Sequence, residues 1–196
     1  MVRVLVLAVI AIVVCWSPSG SQAAEIFVSP GILDGGVDFQ DSSLDVSDAD
    51  FNGTGGQLSV GIVDQHARWY GTLGRMTLKY GDLTLVTFGA DYLFGHGHAT
   101  RTYFGLSGGY GRLDWDRNPP FDEDRNANFD GEYAGKAMIG LQVGILMEFD
   151  RHWQLDIGAR GYYTRMRSEG FVQEHGMARH RIETLGFMNA SVIYRF

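Results

Sequence analysis

Charged residues of both signs recur at alternate positions within otherwise apolar runs. Arg75, Lys79, Lys136 and Arg160 stand against Asp91, Glu148 and Asp156. If those runs are strands that close into a barrel, the alternation turns all seven side chains toward one interior. Two chemistries fit such a set. One is an ion-pair and hydrogen-bond network that fills the interior. The other is a polar path that selects ions or relays protons. A charge sealed in a barrel without a partner is very costly. Because the signs are mixed, the network is the favoured reading and the path its alternative.

Other candidate chemistry is weaker. His66, His96, His98 and His152 fall at expected short turns, and His175 and His180 in a long loop. His96 and His98 form a compact pair, but two imidazoles without carboxylate or thiolate support make a poor metal site. Ser168, Glu169, Glu174 and His175 are close in sequence, yet all are loop-borne and match no hydrolase motif. Asp122, Asp124, Asn126, Asn128 and Asp130 place oxygens at alternate positions like a calcium loop. The glycine that such a loop needs at its sixth position is replaced by Phe129. The run Gly105 to Gly111 is glycine-rich, but it reads as strand rather than as a phosphate-binding turn. No catalytic residue, metal or cofactor is assigned, and no enzyme is expected. The sole cysteine, Cys15, lies in the leader, so the remaining chain forms no disulfide and carries no thiol nucleophile.

The elements that must carry the seven charges are strands. From Ala137 to Phe149 every odd position is apolar, while the even ones include Gly140, Gln142, Gly144 and Glu148. A period of two over so long a run is a strand with one face toward lipid and one toward a narrow lumen. Seven further strands are expected, giving roughly 25–36, 56–65, 68–80, 83–94, 101–115, 134–149, 153–167 and 183–196. Val86, Phe88, Ala90, Tyr92 and Phe94 are expected outward, as are Trp153, Leu155, Ile157, Ala159 and Tyr163, and Leu58, Val60 and Ile62. In the third strand Tyr70, Met76, Leu78 and Tyr80 are expected outward, with Arg75, Thr77 and Lys79 inward. The fifth strand changes phase near Leu113-Asp114-Trp115, which suggests a bulge. Inward Gly105, Gly109, Gly140, Gly144 and Gly158 leave room for long side chains crossing the lumen.

Short turns near 64–67, 95–100 and 150–152 alternate with connections at 37–55, 81–82, 116–133 and 168–182, three of them long. Aromatic residues gather at strand ends. Trp69, Phe94, Phe149, Trp153, Tyr194 and Phe196 are expected in one girdle, and Tyr80, Tyr110, Trp115 and Tyr163 in the other. A soluble lipocalin-like barrel is disfavoured, because the expected interior is Gly, Thr, Gln, Asp, Arg and Glu. Twenty-seven glycines with only four prolines fit glycine-bearing strands rather than disorder. A net charge of −7 makes nucleic acid an unlikely partner.

Residues 1–23 read as a cleaved export signal. Arg3 gives a positive start, Val4 to Trp16 is apolar but short for a spanning helix, and Ser21-Gln22-Ala23 offers a cleavage site. Residues 24–196 form the single remaining domain. Its last strand puts Met188, Ala190, Val192, Tyr194 and Phe196 on one face. This resembles the C-terminal signature of bacterial outer-membrane barrels, which the barrel-assembly machinery reads. Tyr194 and Phe196 are therefore the expected assembly signal.

In strand count, loop asymmetry and terminal strand, the chain resembles the OmpA/OmpX-like and opacity-protein group of small outer-membrane barrels. The resemblance implies an all-β, eight-stranded antiparallel transmembrane up-and-down β-barrel, monomeric, in contact with outer-membrane lipid and lipopolysaccharide. The expected function is structural support of the envelope, or adhesion and protection through surface loops. A narrow channel for ions or small solutes is the first alternative, and a lipid A-modifying enzyme the second.

Overall fold

A computed structural model describes residues 24–40, 52–79, 81–95, 98–115, 127–128, 133–172 and 176–196. The expected export signal, the acidic stretches of the first and second long connections, Tyr80, His96, Glu174 and His175 lie outside the described residues. Nine strands follow in order: β1 Glu25–Gln40, β2 Asn52–Val63, β3 Ala67–Leu78, β4 Gly81–Phe94, β5 Thr100–Trp115, β6 Ala127–Asn128, β7 Tyr133–Glu148, β8 Trp153–Val172 and β9 Gly176–Arg195. All but the two-residue β6 build the barrel. Each pairs antiparallel with its neighbour in sequence, and β9 closes the ring against β1. β6 adds two residues to the far end of β8. Among the described residues there is no helix, so the membrane reading rests on strands alone.

Three turns define one end of the barrel. In the first, Asp64 accepts the amides of His66 and Ala67 on one carboxylate oxygen at 2.7 Å each, which fixes a tight connection. In the second, Gly95 takes a positive φ of 83°, a conformation that side chains other than glycine resist. The opposite end carries the longer connections. There β8 and β9 run on together, pairing as far as Val172 and Gly176. The stretch 168–182, expected as a loop, is thus mostly a hairpin.

The strands are longer than a bilayer requires. A tilted strand of about 9–11 residues crosses it, whereas β5 and β7 have 16 residues and β8 and β9 have 20. The outer wall records where the excess lies. Toward the turn end it is apolar, with Phe88, Phe104, Leu141, Val143, Ile157 and Val192 exposed. Toward the loop end it turns polar on most strands: Arg75 follows Leu73, Arg112 follows Tyr110, and Arg165 follows Tyr163. Inside, the order is reversed. Met76, Leu83, Leu85, Leu113, Trp115 and Met166 are buried in one apolar cluster at the loop end, to which every barrel strand except β2 contributes. The turn-end half is thus built as a membrane barrel, apolar outside. The loop-end half is built as a soluble one, apolar inside.

This inversion explains three departures from expectation. In β3 the inward set is Arg68, Tyr70, Thr72, Gly74, Met76 and Leu78, so Arg75 and Thr77 point outward. Met76 and Leu78 are apolar because they enter the loop-end core, not because they meet lipid. In β5 there is no bulge at Leu113-Asp114-Trp115, since its register with β4 runs unbroken from Phe94↔Thr102 to Gly81↔Trp115. The geometry keeps its phase and only the chemistry changes sides. Trp115 is accordingly buried and not part of an outer girdle. The irregularities that do occur lie in β8–β9 between Tyr163 and Met166, and in β1–β9 between Asp38 and Phe39.

Candidate functional site: the barrel lumen

Arg68 is the centre of the lumen. It is the second residue of β3, inward and 2% exposed. Its Nε donates to Asp91 Oδ2 at 2.8 Å and its Nη1 to Asp156 Oδ2 at 2.7 Å. The remaining guanidinium nitrogen lies 2.6 Å from Asp91 Oδ2. Two carboxylates from strands on different sides of the barrel are thus bridged by one cation. The guanidinium also sits between two rings, 4.6 Å from the centroid of Tyr103 and 4.9 Å from that of Tyr70. Such stacking suits its planar, weakly hydrated charge. Tyr103 donates its hydroxyl to Asp156 Oδ1 at 2.8 Å. Gln142 donates to Asp91 Oδ1 and to the Tyr70 hydroxyl.

Small residues on facing strands make this packing possible. A Cβ at Gly105 would collide with the Asp91 carboxylate, and one at Gly144 or Gly158 with the Tyr103 hydroxyl. Nearby, Arg160 reaches Gln57 Oε1 at 3.2 Å, Ser29 donates to Ser191 at 3.0 Å, and Ser59 and Thr72 share a hydrogen bond of 2.7 Å. The gap bounded by Phe27, Ser29, Ser59, Arg68, Tyr70, Asp156, Arg160 and Ser191 has no room for a water molecule.

The apolar loop-end core lies on one side of this polar layer. On the other, nearer the short turns, five strands place apolar residues, Phe27, Val63, Leu93, Leu146 and Ile193, while β5 places Arg101 and β8 places Gln154, both buried. The polar layer carries two arginines and two aspartates, so its formal charge is balanced.

Of the seven residues singled out by alternation, the structure brings Asp91, Asp156 and Arg160 together here. Arg75 is excluded. Its side chain is 72% exposed on the outer wall, paired with Asp82 at 2.6 Å. Lys79 is exposed in the turn after β3. Lys136 keeps inward parity on β7 but is exposed in the loop-end half. Glu148 lies at the turn-end mouth, 2.5 Å from Arg195, which also approaches Glu25 at 3.3 Å. Arg68 and Tyr70 escape sequence reasoning because the loop-end half of β3 suggests the opposite phase. The signal that finds them is the run Arg68, Tyr70, Thr72 at alternate positions against outward Trp69 and Leu73. Tyr194 and Phe196 stack edge to face at 4.9 Å at the turn end, and Tyr194 also meets Trp153 at 4.8 Å. Among the described residues, no group of three or more His, Cys, Asp or Glu side chains could hold a metal ion.

No family model and no curated protein matches the sequence. Solved structures match the fold along nearly the whole chain. Neisserial surface protein A is similar at a TM-score of 0.58 and 16% identity, covering 89% of this chain and 100% of its own. The outer membrane protein OprG of Pseudomonas aeruginosa is similar at 0.54 and 11%, covering 90% and 98%. Ail, the attachment invasion locus protein of Yersinia pestis, solved in complex with the heparin analogue sucrose octasulfate, is similar at 0.52 and 14%, covering 89% and 100%. At these identities the likeness speaks for fold. That fold is the closed, eight-stranded, antiparallel up-and-down barrel of the small OmpA/OmpX-like outer-membrane proteins.

Proposed function

We propose that this protein is an integral outer-membrane barrel with a closed lumen, and that it acts through its outer surface. Its roles are support of the envelope and presentation of the loop end for adhesion or protection. One observation carries this reading: the buried Arg68, Asp91 and Asp156 network lies beneath an apolar core that seven strands fill at the loop end. A conducting pore needs a continuous wet path, and the apolar loop-end core interrupts any such path. The surface role draws on analogy with proteins of the same fold, one named as a surface protein and one as an attachment protein.

Planar-bilayer recording of the refolded protein tests the closed lumen. Silence is expected, in samples whose folding is verified by heat-modifiable gel migration. Reproducible current steps would instead support the channel alternative. We take the protein to be non-enzymatic. Lipid A from cells with and without it should give identical mass spectra, and a gained or lost acyl chain would overturn that view.

A further inference from the structure

On the outer wall, just beyond the apolar band, β8 and β9 crowd three guanidinium groups. Arg167 stands directly opposite Arg181 in the antiparallel register. Arg165 lies two residues away on the same face of β8, its Nε donating to the Tyr163 hydroxyl at 2.8 Å. Glu183 answers only part of this charge, pairing with Arg181 at 2.7 Å. Like charges directly opposite one another in a sheet destabilise it. The Nε of Arg181 is moreover buried without a hydrogen-bond partner. Among the described residues, the cluster carries more positive charge than Glu183 offsets. Toward the turn end the same wall is apolar, with Tyr163 and Met188 exposed and open space over Gly161 and Gly186.

We propose that Arg165, Arg167 and Arg181 bind the phosphate of a membrane-lipid headgroup in the leaflet facing the loop end. The acyl chains would lie along Tyr163, Met188 and the flat strip between them. Guanidinium forks match phosphate oxygens in geometry and charge. Position selects a lipid over a soluble anion, because the cluster borders the apolar band and continues its surface. The inference rests on the membrane-barrel reading of the outer wall, but not on whether the lumen conducts.

Native mass spectrometry of the refolded protein from detergent micelles tests it, with phosphatidic acid, phosphatidylcholine or inorganic phosphate added. Retention of phosphatidic acid should exceed that of phosphatidylcholine by about tenfold. It should fall to the phosphatidylcholine level in the combined Arg165→Gln, Arg167→Gln, Arg181→Gln variant. Arg75→Gln, on the opposite wall and already paired with Asp82, should retain the lipid as the parent does. All three substitutions lie on the outer wall, and heat-modifiable migration verifies the fold of each sample. Undiminished retention in the triple variant overturns the proposal, and so does equal retention of inorganic phosphate. A chain that reaches its fold in water without micelles would remove the membrane reading and this site together.

Discussion

Arg68 shows how one side chain can govern a lumen. Its two aspartates are nearly inaccessible to solvent, so their charge has no other compensation of comparable strength. Arg68→Ala should therefore cost about 3–5 kcal/mol, the usual penalty for stripping one partner from a buried ion pair. Urea unfolding in micelles, followed by gel migration, reads that loss. Arg75→Ala makes the contrast: it removes a side chain that is 72% exposed and should change the unfolding midpoint little. If the network is only a plug, exchanging its whole charge set should be tolerated. Arg68→Met, Asp91→Leu, Asp156→Leu and Arg160→Met combined should restore stability to near the parent's or above it, because that layer then holds no buried charge. A quadruple variant as unstable as Arg68→Ala would show that the ions do more than fill space. Gly158→Val tests the packing directly. Its side chain claims the place of the Tyr103 hydroxyl and should cost about 1–3 kcal/mol through overpacking.

The strands teach where alternation can be trusted. The existence of all eight, their order and the outward faces of β2, β4, β7 and β8 are legible in the sequence, because each carries a clean lipid-facing set in its turn-end half. β3 misleads because its loop-end half is the more regular one. Met76 and Leu78 alternate with Arg75, Thr77 and Lys79, and taken alone that pattern is a lipid face backed by lumen charges. Only the neighbouring Arg68-Trp69-Tyr70 fixes the true phase. β5 gives the complementary lesson, since its apparent phase change at Leu113 marks the level at which burial switches from outer wall to core. The tryptophans make this testable. With Trp69 and Trp153 changed to Phe, in a chain without the expected export signal, Trp115 is the only tryptophan. Its fluorescence should resist both brominated lipid and aqueous iodide. Trp69 and Trp153, both exposed on the outer wall, should be quenched by the lipid when each is the sole tryptophan instead. Lipid quenching of Trp115 would place the loop-end half inside the bilayer and end the case for an inverted barrel.

For the molecule as a whole, the loop-end core and the ion network stand in series, and a series is only as open as its tightest member. Loss of Arg68 would loosen the polar layer, yet the loop-end core would still stand between it and the exit. That core is held from seven strands, and each fully buried apolar side chain adds about 1.5–3 kcal/mol to folding. Arg68→Ser alone should leave the barrel silent in a planar bilayer. Opening the core alone, with Leu85→Ser and Leu113→Ser, should leave it silent too, because Arg68 still ties Asp91 and Asp156 together across the lumen. Current is expected only when both breaches are combined in a chain that still migrates as a folded barrel. If Arg68→Ser by itself conducts, the loop-end core is not a barrier. The ion pairs would then be a gate rather than a plug, and the channel alternative would displace the structural one.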